Sequence, residues 1–564
     1  MDQTAMSSRT SMRQWFKSGD PWIWMIGGGL AISLIMVVGL LLLIAVRGFG
    51  HFWPSPIMAT TVTVEEAASE SIMGILVRSE TLPAQRIREA GQSIPEDQLL
   101  VTRHLIKVGN RDLTGRDFVW YLDSALGEMR YPEAALRIER REWGNFYGFA
   151  SALERDGEVV ARGEALWPEL QQAIDRANEL HQRIQSLERA EIGSINRQME
   201  KVRLEGRALE LKGVSGAELE ASEADLAARQ TELERRFEDV QAERRDLLDQ
   251  SERDVLIAET ASGRVVRIEL NNIVMASRNN AMGLFGKLGF YAHRIGDFLS
   301  GYPREANTEG GIFPAIFGTV TMVLIMSVLV TPFGVLAAIY LREYARQGTI
   351  LKLIRVSVYN LAGVPSIVFG VFGLGFFVYL LGGSIDELFY PERLPAPTFG
   401  TPGLFWASLT LALLTLPVVI VSTEEGLARI PRTIREGSLA LGATKWETLW
   451  KVVVPLSAPA MMTGLILAVA RAAGEVAPLM LVGVVKLAPS LPVDGEFPYV
   501  HLERKIMHLG FHIYDVGFQS PNVEAARPLV YATALTLVLL ILILNLSAIA
   551  IRNRLREKYR AEGE

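Results

Sequence analysis

Long runs of apolar residues alternate with one highly charged block along this chain of 564 residues. A helix needs about 20 predominantly apolar residues to cross the hydrocarbon core of a bilayer. We predict a membrane-spanning helix in each of six runs: 22–46, 312–341, 354–381, 404–422, 458–485 and 529–551. The pattern therefore predicts an all-α polytopic membrane protein with six transmembrane helices.

The lysine and arginine residues near these runs favour one orientation in the membrane. Basic residues cluster in both tails (1–21 and 552–564) and in the segments that follow the second and fourth runs. Because loops rich in Lys and Arg stay on the cytoplasmic side, both termini are predicted to be cytoplasmic. The segment 47–310 then lies on the opposite side, and it is long enough to form a domain of its own.

The segment 47–310 has its own secondary-structure pattern. Its centre, 168–252, is rich in Glu, Arg, Leu, Ala and Gln, with apolar positions at a heptad-like step. A break at 213–216 predicts an antiparallel helical hairpin, with Ser215 and Glu218 as a capping box for its second helix. β-branched alternation around turns at 156–157 and 262–263 predicts a β-rich base. We therefore expect an α+β insertion in which a helical arm projects from a small sheet structure.

The function of this insertion stays open at the level of sequence. It is either a structural spacer with a solvated charged face or a docking arm for a periplasmic partner. His181 lies on the apolar stripe of the arm. A histidine in such a position is more often packed in a core than used as a ligand, so we assign it no function.

The segment 436–455, between the fourth and fifth runs, combines small, apolar and aromatic residues. Glu436 opens it, Gly442 interrupts it, and Trp446 begins an apolar stripe at helical spacing. Glycine permits backbone angles that other residues resist. We predict two short amphipathic helices with a kink at Gly442, the second of which ends at Pro455. Such a rigid, partly apolar protrusion suits a soluble protein that drives movement in the membrane helices.

Two charged residues, Arg471 and Glu475, lie within the fifth apolar run. Charges at membrane depth are costly and mark a pathway or a pair, and a spacing of four places both on one helix face. They are either a pair that stabilises the helix or a site at which Arg471 meets an anionic substrate. A guanidinium suits a tetrahedral oxyanion because its planar fork donates two parallel hydrogen bonds.

Composition and motifs exclude several classes of partner and activity. A net charge of −6, without a basic cluster away from the membrane, argues against nucleic acid as a partner. The chain has no cysteine, so it has no thiolate site. It also has no G-x-x-x-x-G-K-[ST] phosphate loop, so we expect it not to be an enzyme and to bind no cofactor of its own. Its partner in every case is the membrane lipid around the spans.

Several strings resemble one family of membrane proteins. The spacing of Glu436, Gly442 and Pro455 is similar to the EAA loop of type I ABC importer permeases, with Gly437 and Ser438 where two alanines are usual. The strings GIFPAIFGT (311–319), NLAGVPSIVFG (360–370) and ARAAGEVAPL (470–479) resemble the PstA-type subunits of phosphate-specific importers. The resemblance covers 311–551, which it predicts to be a permease core with five spans. The insertion 47–310 departs from the family.

The resemblance implies a set of partners in a bacterial inner membrane. These are a PstC-like permease in a heterodimer, a PstB-like ATPase dimer that holds ATP and magnesium, and a periplasmic phosphate-binding protein. It also implies that Glu436, Gly442, Trp446 and Pro455 couple the permease to the ATPase. Two alternatives remain: a permease for another oxyanion such as sulfate or molybdate, and a sensor or scaffold subunit of a phosphate-signalling complex.

Overall fold

The computed structural model describes residues 16–65, 68–89, 94–95, 97–520 and 523–561. Most of the predicted N-terminal tail and the last three residues of the C-terminal tail lie outside these ranges. Within them, six helices are long and apolar enough to cross a membrane: Pro21–Gly50, Phe313–Tyr344, Ser366–Phe389, Leu404–Arg429, Lys445–Gly474 and Ala526–Arg554. The predicted number of spans is confirmed.

An α/β region of short strands and long helices lies between the first two spans. The elements up to the second span are α1 (Asp20–Gly50), β1 (Met58–Glu65), β2 (Ala68–Pro83), α2 (Ala84–Glu89), β3 (Leu100–Lys107), α3 (Arg111–Thr114), β4 (Phe118–Leu122), β5 (Leu136–Arg140), β6 (Asn145–Arg155), β7 (Glu158–Arg162), α4 (Leu166–Ser186), α5 (Gly193–Leu211), α6 (Ala217–Ser251), β8 (Asp254–Glu259), β9 (Val265–Glu269), β10 (Ile273–Ser277), α7 (Leu284–Ser300), β11 (Pro303–Arg304) and β12 (Glu309–Gly310).

The second part of the chain is helical. Its elements are α8 (Phe313–Ile339), α9 (Thr349–Leu361), α10 (Ser366–Phe372), α11 (Gly383–Phe389), α12 (Leu404–Arg429), α13 (Arg432–Ala440), α14 (Lys445–Thr448), α15 (Val454–Gly474), α16 (Leu479–Val482), α17 (Leu509–Tyr514) and α18 (Val523–Ala561). Wider π-helical turns occur at Leu187–Ile192, Tyr340–Tyr344, Gly373–Gly382, Leu449–Val453 and Asp515–Gln519.

Two antiparallel sheets form the base of the insertion. One has the order β1-β2-β3-β4, and the other has the order β10-β5-β6-β8-β9 with β7 added beside β6. The tight turn at Asp156 and Gly157 has positive φ at both residues, which matches the right-handed twist of a hairpin. Leu170 and Ile174 of α4 pack on Leu136 and Phe146 of the second sheet. The predicted β-rich base with both of its turns is confirmed.

A helical hairpin extends from this base, as predicted. The helix that starts at α4 continues through the π-helical turn into α5, and α6 returns antiparallel to it. Leu187, Ile195, Val202, Leu233 and Val240 form their shared apolar core. The predicted capping box is wrong: Gly216, with a φ of 77°, occupies the cap position without a side-chain hydrogen bond. A glycine in this conformation already turns the chain, so Ser215 is not needed there.

The arm does not stand clear of the membrane part. Arg197 of α5 donates from Nε to Oε2 of Glu496, in the loop between α16 and α17, at 2.7 Å. The guanidinium of Arg189 lies 4.0 Å from the ring centre of Tyr302. The arm is therefore bonded through Arg197 to a loop of the membrane unit, and through Arg189 to the segment that leads into the second span.

A buried ionic cluster bonds the base to the segment 284–310, which leads into the second span. Glu139 of β5 pairs with Arg137, with Arg294 of α7 and with Arg304 of β11. Burial alone would raise the pKa of Glu139, but the charges of Arg294, Arg304 and Arg137 outweigh burial and lower it. Glu139 is thus a carboxylate held by three cations at the junction.

The third and fifth spans begin and end at other residues than predicted. Residues Thr349–Leu361 form the separate amphipathic helix α9, and the third span starts only at Ser366. Pro365 explains the break, because a proline disfavours helical geometry in the residue before it. The fifth helix runs from Lys445 to Gly474 rather than over 458–485.

The centre of the membrane unit is α12, which packs against both α8 and α15. Small residues allow this close approach. A Cβ on Gly334 would meet Val419, one on Gly464 would meet Ser422, and one on Gly426 would meet Ala460. These three helices, which belong to the second, fourth and fifth spans, thus form a tight core on which the loops are placed.

Candidate functional site

The fifth span breaks inside the membrane unit. Helix α15 ends at Gly474, Glu475 is extended with a ψ of 137°, and the chain resumes as the short helix α16. The neighbouring helix α12 gives the depth of the break. Gly464 lies against Ser422, whereas Gly483 lies against Gly403 at the opposite end of α12. At 1.5 Å per residue, Arg471 is about 10 Å beyond Gly464, so the break lies at an intermediate depth.

Arg471 and Glu475 lie at this break. The Nε of Arg471 donates to Oε1 of Glu475 at 3.3 Å, and the two side chains are 34% and 20% exposed. Their neighbours Ala472 and Ala473 are buried in the core with Leu479. The predicted contact is present, but Glu475 caps the helix instead of continuing one face of it. The pair borders an accessible surface at the point where the backbone leaves the helix.

The carbonyl groups at the end of α15 also interact with this pair. The last carbonyl groups of a helix carry partial negative charge and have no partner within the helix. Arg471 in the last turn of α15 offsets both that partial charge and the carboxylate of Glu475. An anion that approached Arg471 would compete with Glu475 and with these carbonyls. The arrangement can hold an anion weakly and release it, which suits a transfer step better than tight storage.

The segment 436–455 forms a protrusion at the other end of α15. Helix α13 ends near Gly442, whose φ of 87° turns the chain. Thr444 then opens α14 through a reciprocal capping box with Glu447. Leu441 at the turn is 90% exposed. The predicted kink is confirmed, and Leu441 is the most prominent apolar residue of the protrusion.

Pro455 does not end the second helix, contrary to the sequence prediction. It lies in the first turn of α15, within a continuous helix from Lys445 to Gly474. A proline inside a helix lacks one backbone donor and crowds the preceding turn. The π-helical turn at Leu449–Val453 directly before Pro455 widens the helix at this position. The protrusion and the fifth span are therefore one element.

Polar contacts fix the protrusion to the second and fourth spans. Arg435 of α13 pairs with Oε1 of Glu343 at 3.0 Å and also donates to the Leu427 carbonyl. Lys445 donates to the Glu343 carbonyl at 2.6 Å. Sequence reasoning missed Arg435 and Glu343 as a pair, because 92 residues separate them along the chain. The protrusion is rigidly held, so force applied to it reaches the spans.

Trp446 faces a different direction from the exposed turn. Its ring lies 5.3 Å from that of Trp450. The two rings border a cleft of about 200 Å³ with Leu336 and Tyr340 of the second span. Aromatic side chains are enriched where membrane and water meet. The structure thus brings Trp446 to the side of the second span, whereas Glu436 and Gly442 are exposed on the protrusion. The assignment of all four coupling residues stays a prediction.

Comparison with known proteins gives matches in the second half of the chain. A family model described as "Binding-protein-dependent transport system inner membrane component" matches residues 330–560. The phosphate transport system permease protein PstA of Mycobacterium leprae is 35% identical over 199 residues, which are 35% of this chain and 60% of that protein. The chain thus spans less than two thirds of that relative's length.

A second relative is matched over more of its length. The probable ABC transporter permease protein YqgI of Bacillus subtilis is 30% identical over 223 residues, which are 38% of this chain and 70% of YqgI. Among solved structures, an inward-facing form of the MetNI methionine ABC transporter matches with a TM-score of 0.32 and 17% identity, over 43% of this chain and 94% of that one.

Proposed function

Because the chain belongs to the family of inner membrane components of binding-protein-dependent transport systems, we propose that it is the permease subunit through which such a system imports inorganic phosphate. The chain is a transmembrane permease component and not itself an ATPase. The observation that carries the proposal is the Arg471–Glu475 pair at the break in the fifth span. The naming of several relatives as PstA supports phosphate as the substrate.

In this proposal Arg471 receives the phosphate and Glu475 releases it. A phosphate that reaches the break accepts hydrogen bonds from the guanidinium, while Glu475 withdraws. When the helices move, Glu475 returns to Arg471 and displaces the anion by like-charge repulsion. Selection and release then use the same two side chains, and neither forms a covalent bond.

The energy comes from other chains. We propose that a PstB-like ATPase dimer, which holds ATP and magnesium, contacts the protrusion at Glu436, Leu441 and Gly442. A PstC-like permease completes the pathway, and a periplasmic phosphate-binding protein delivers the substrate. In this arrangement both termini are cytoplasmic in a bacterial inner membrane, and the insertion 47–310 is periplasmic.

The test uses the complex purified in lipid with its binding protein. We expect phosphate, but not sulfate, to stimulate ATP hydrolysis, and we expect Arg471→Ala to abolish uptake while the complex still assembles. Stimulation by sulfate or molybdate instead would retain the permease and overturn the substrate. Normal uptake by Arg471→Ala would exclude Arg471 from the pathway.

One observation favours a sensing role in addition. The arm is bonded through Arg197 to Glu496, and the loop that carries Glu496 directly follows the broken segment of the fifth span. A ligand or partner that moved the arm would reach that loop. Removal of the arm separates the two candidates: loss of regulation with intact uptake supports sensing, whereas unchanged regulation and uptake make the arm accessory.

A further inference from the structure

Helix α7, which joins the insertion to the second span, has three distinct faces. At about 100° per residue, its exposed apolar residues fall on one side of the helix: Leu284, Phe285, Leu288, Ala292 and Leu299. His293 and Asp297 lie on the next side and pair at 3.2 Å. The third side packs against protein. The exposed surface of this helix therefore has an apolar side and a polar side.

The packed face holds α7 at the ends of two spans. The ring of Phe298 lies 5.1 Å from that of Phe52, directly after α1. The backbone N–H of Ile312, at the start of the second span, donates to the Phe298 carbonyl at 2.8 Å. Arg294 on this side reaches Glu139 of the base. The helix thus lies at the membrane boundary, on the side of the insertion.

The apolar face is unusually open for a helix outside the spans. Leu284 and Phe285 are 65% and 88% exposed. Exposed patches of this kind mark an interaction surface. The first span, after which Phe52 packs on Phe298 of α7, also presents exposed apolar residues near its end, at Val46 and Phe49. Trp53 packs on Tyr291 with ring centres 5.8 Å apart, and tryptophan and tyrosine concentrate at membrane interfaces.

We propose that α7 is an interfacial anchor that lies in the lipid leaflet on the side of the insertion. Leu284, Phe285 and Leu288 contact acyl chains, and His293 with Asp297 faces water and headgroups. An amphipathic helix in this position buries its apolar face about 5–10 Å below the interface. Through Arg294 and Glu139 the anchor fixes the insertion relative to the bilayer. The inference depends on the six spans and not on the transported substrate.

The lack of cysteine in the chain permits a direct test. Phe285→Cys and, as a matched control on the polar face, His293→Cys are each labelled with a nitroxide spin label. The full chain, with any subunits that co-purify, is reconstituted in phosphatidylcholine–phosphatidylglycerol vesicles, and the unsubstituted protein gives the background. Both side chains are exposed, so we expect the two variants to retain the fold. Collisions with lipid-soluble oxygen and with a water-soluble nickel chelate are then measured.

We expect the label in Phe285→Cys to collide with oxygen several-fold more than with the nickel chelate, and the label in His293→Cys to show the reverse order. Equal collision rates of both reagents with the labels at the two positions would overturn the assignment of one face to lipid and the other to water. A label in Phe285→Cys that favours the nickel chelate would place this face in water and overturn the proposal. A label shielded from both reagents would assign the face to a protein partner, and would overturn it as well.

Discussion

At the scale of single residues, Arg471 and Glu475 show what spacing can and cannot predict. Their separation of four predicted a contact, and the atoms lie 3.3 Å apart. The end of the helix at Gly474 was not predicted, because glycine and proline also occur inside membrane helices whose neighbours satisfy the freed backbone groups. A local pattern thus gives the pair, but tertiary packing decides where the helix stops.

Glu475→Gln tests the proposed competition for Arg471. Without the negative charge, phosphate no longer competes with a carboxylate, and it binds more tightly and leaves more slowly. We expect KM for uptake to fall about threefold to tenfold, because hydrogen bonds to charged groups contribute about 1.5–3 kcal/mol when buried and less at a half-exposed pair, and kcat to fall in parallel. Glu475→Asp, which keeps the charge, is the control. Unchanged KM in the glutamine variant would contradict the release role.

At the scale of elements, the protrusion was predicted in part. The glycine signal correctly located the kink, since positive φ is easy for glycine alone. The sequence could not show that Pro455 lies inside a helix, because the π-helical turn that accommodates it depends on contacts of Leu449 and Val453 with Ile339 and Leu427. Likewise, the third span was predicted to begin too early, because residues 354–361 of the amphipathic helix α9 lie directly before the apolar residues of the span.

Gly442→Ala tests the kink, with Gly437→Ala as its matched control. A Cβ on either glycine meets no atom within 4 Å, but only Gly442 has positive φ. Alanine at 442 therefore adds about 1–2 kcal/mol of backbone strain and no clash. We expect uptake and phosphate-stimulated ATP hydrolysis to drop roughly tenfold, since about 1.4 kcal/mol is a factor of ten. Gly437→Ala, inside α13, should keep full activity. Equal activity of the two variants would contradict a role for the kink.

At the scale of the whole molecule, the sheets of the insertion are bonded to the segment that leads into the second span by contacts that no local pattern predicts. Glu139 is separated from both Arg294 and Arg304 by more than 150 residues along the chain, and strands β11 and β12 are each only two residues long. The sequence did predict the secondary structure of the insertion, because β alternation and heptad spacing are local patterns. It could not predict how the insertion is attached.

Glu139→Gln should loosen this attachment. Removal of one partner from a buried ionic cluster typically costs about 3–5 kcal/mol, whereas Arg197→Ala at the half-exposed arm contact should cost at most about 1 kcal/mol. Thermal unfolding and limited proteolysis at 300–312 would measure both. The folded-state pKa of Glu139 is lowered from its ordinary value of 4.5. Its contribution is therefore complete above that pH and is lost as the pH falls through the lowered pKa. Equal stability of both variants would contradict the junction role.

The continuous helix from Lys445 to Gly474 has a mechanical consequence. It crosses α12 most closely at Ala460, where a Cβ on Gly426 would lie 2.4 Å from Cβ of Ala460, and this crossing can serve as a pivot. About 22 Å of helix lies between Lys445 and the pivot, and about 16 Å between the pivot and Arg471. The two arms of this lever have similar lengths, so a swing of about 3 Å at Lys445 moves Arg471 by about 2 Å in the opposite direction. A movement of the protrusion is therefore transmitted to the break in the fifth span with little loss.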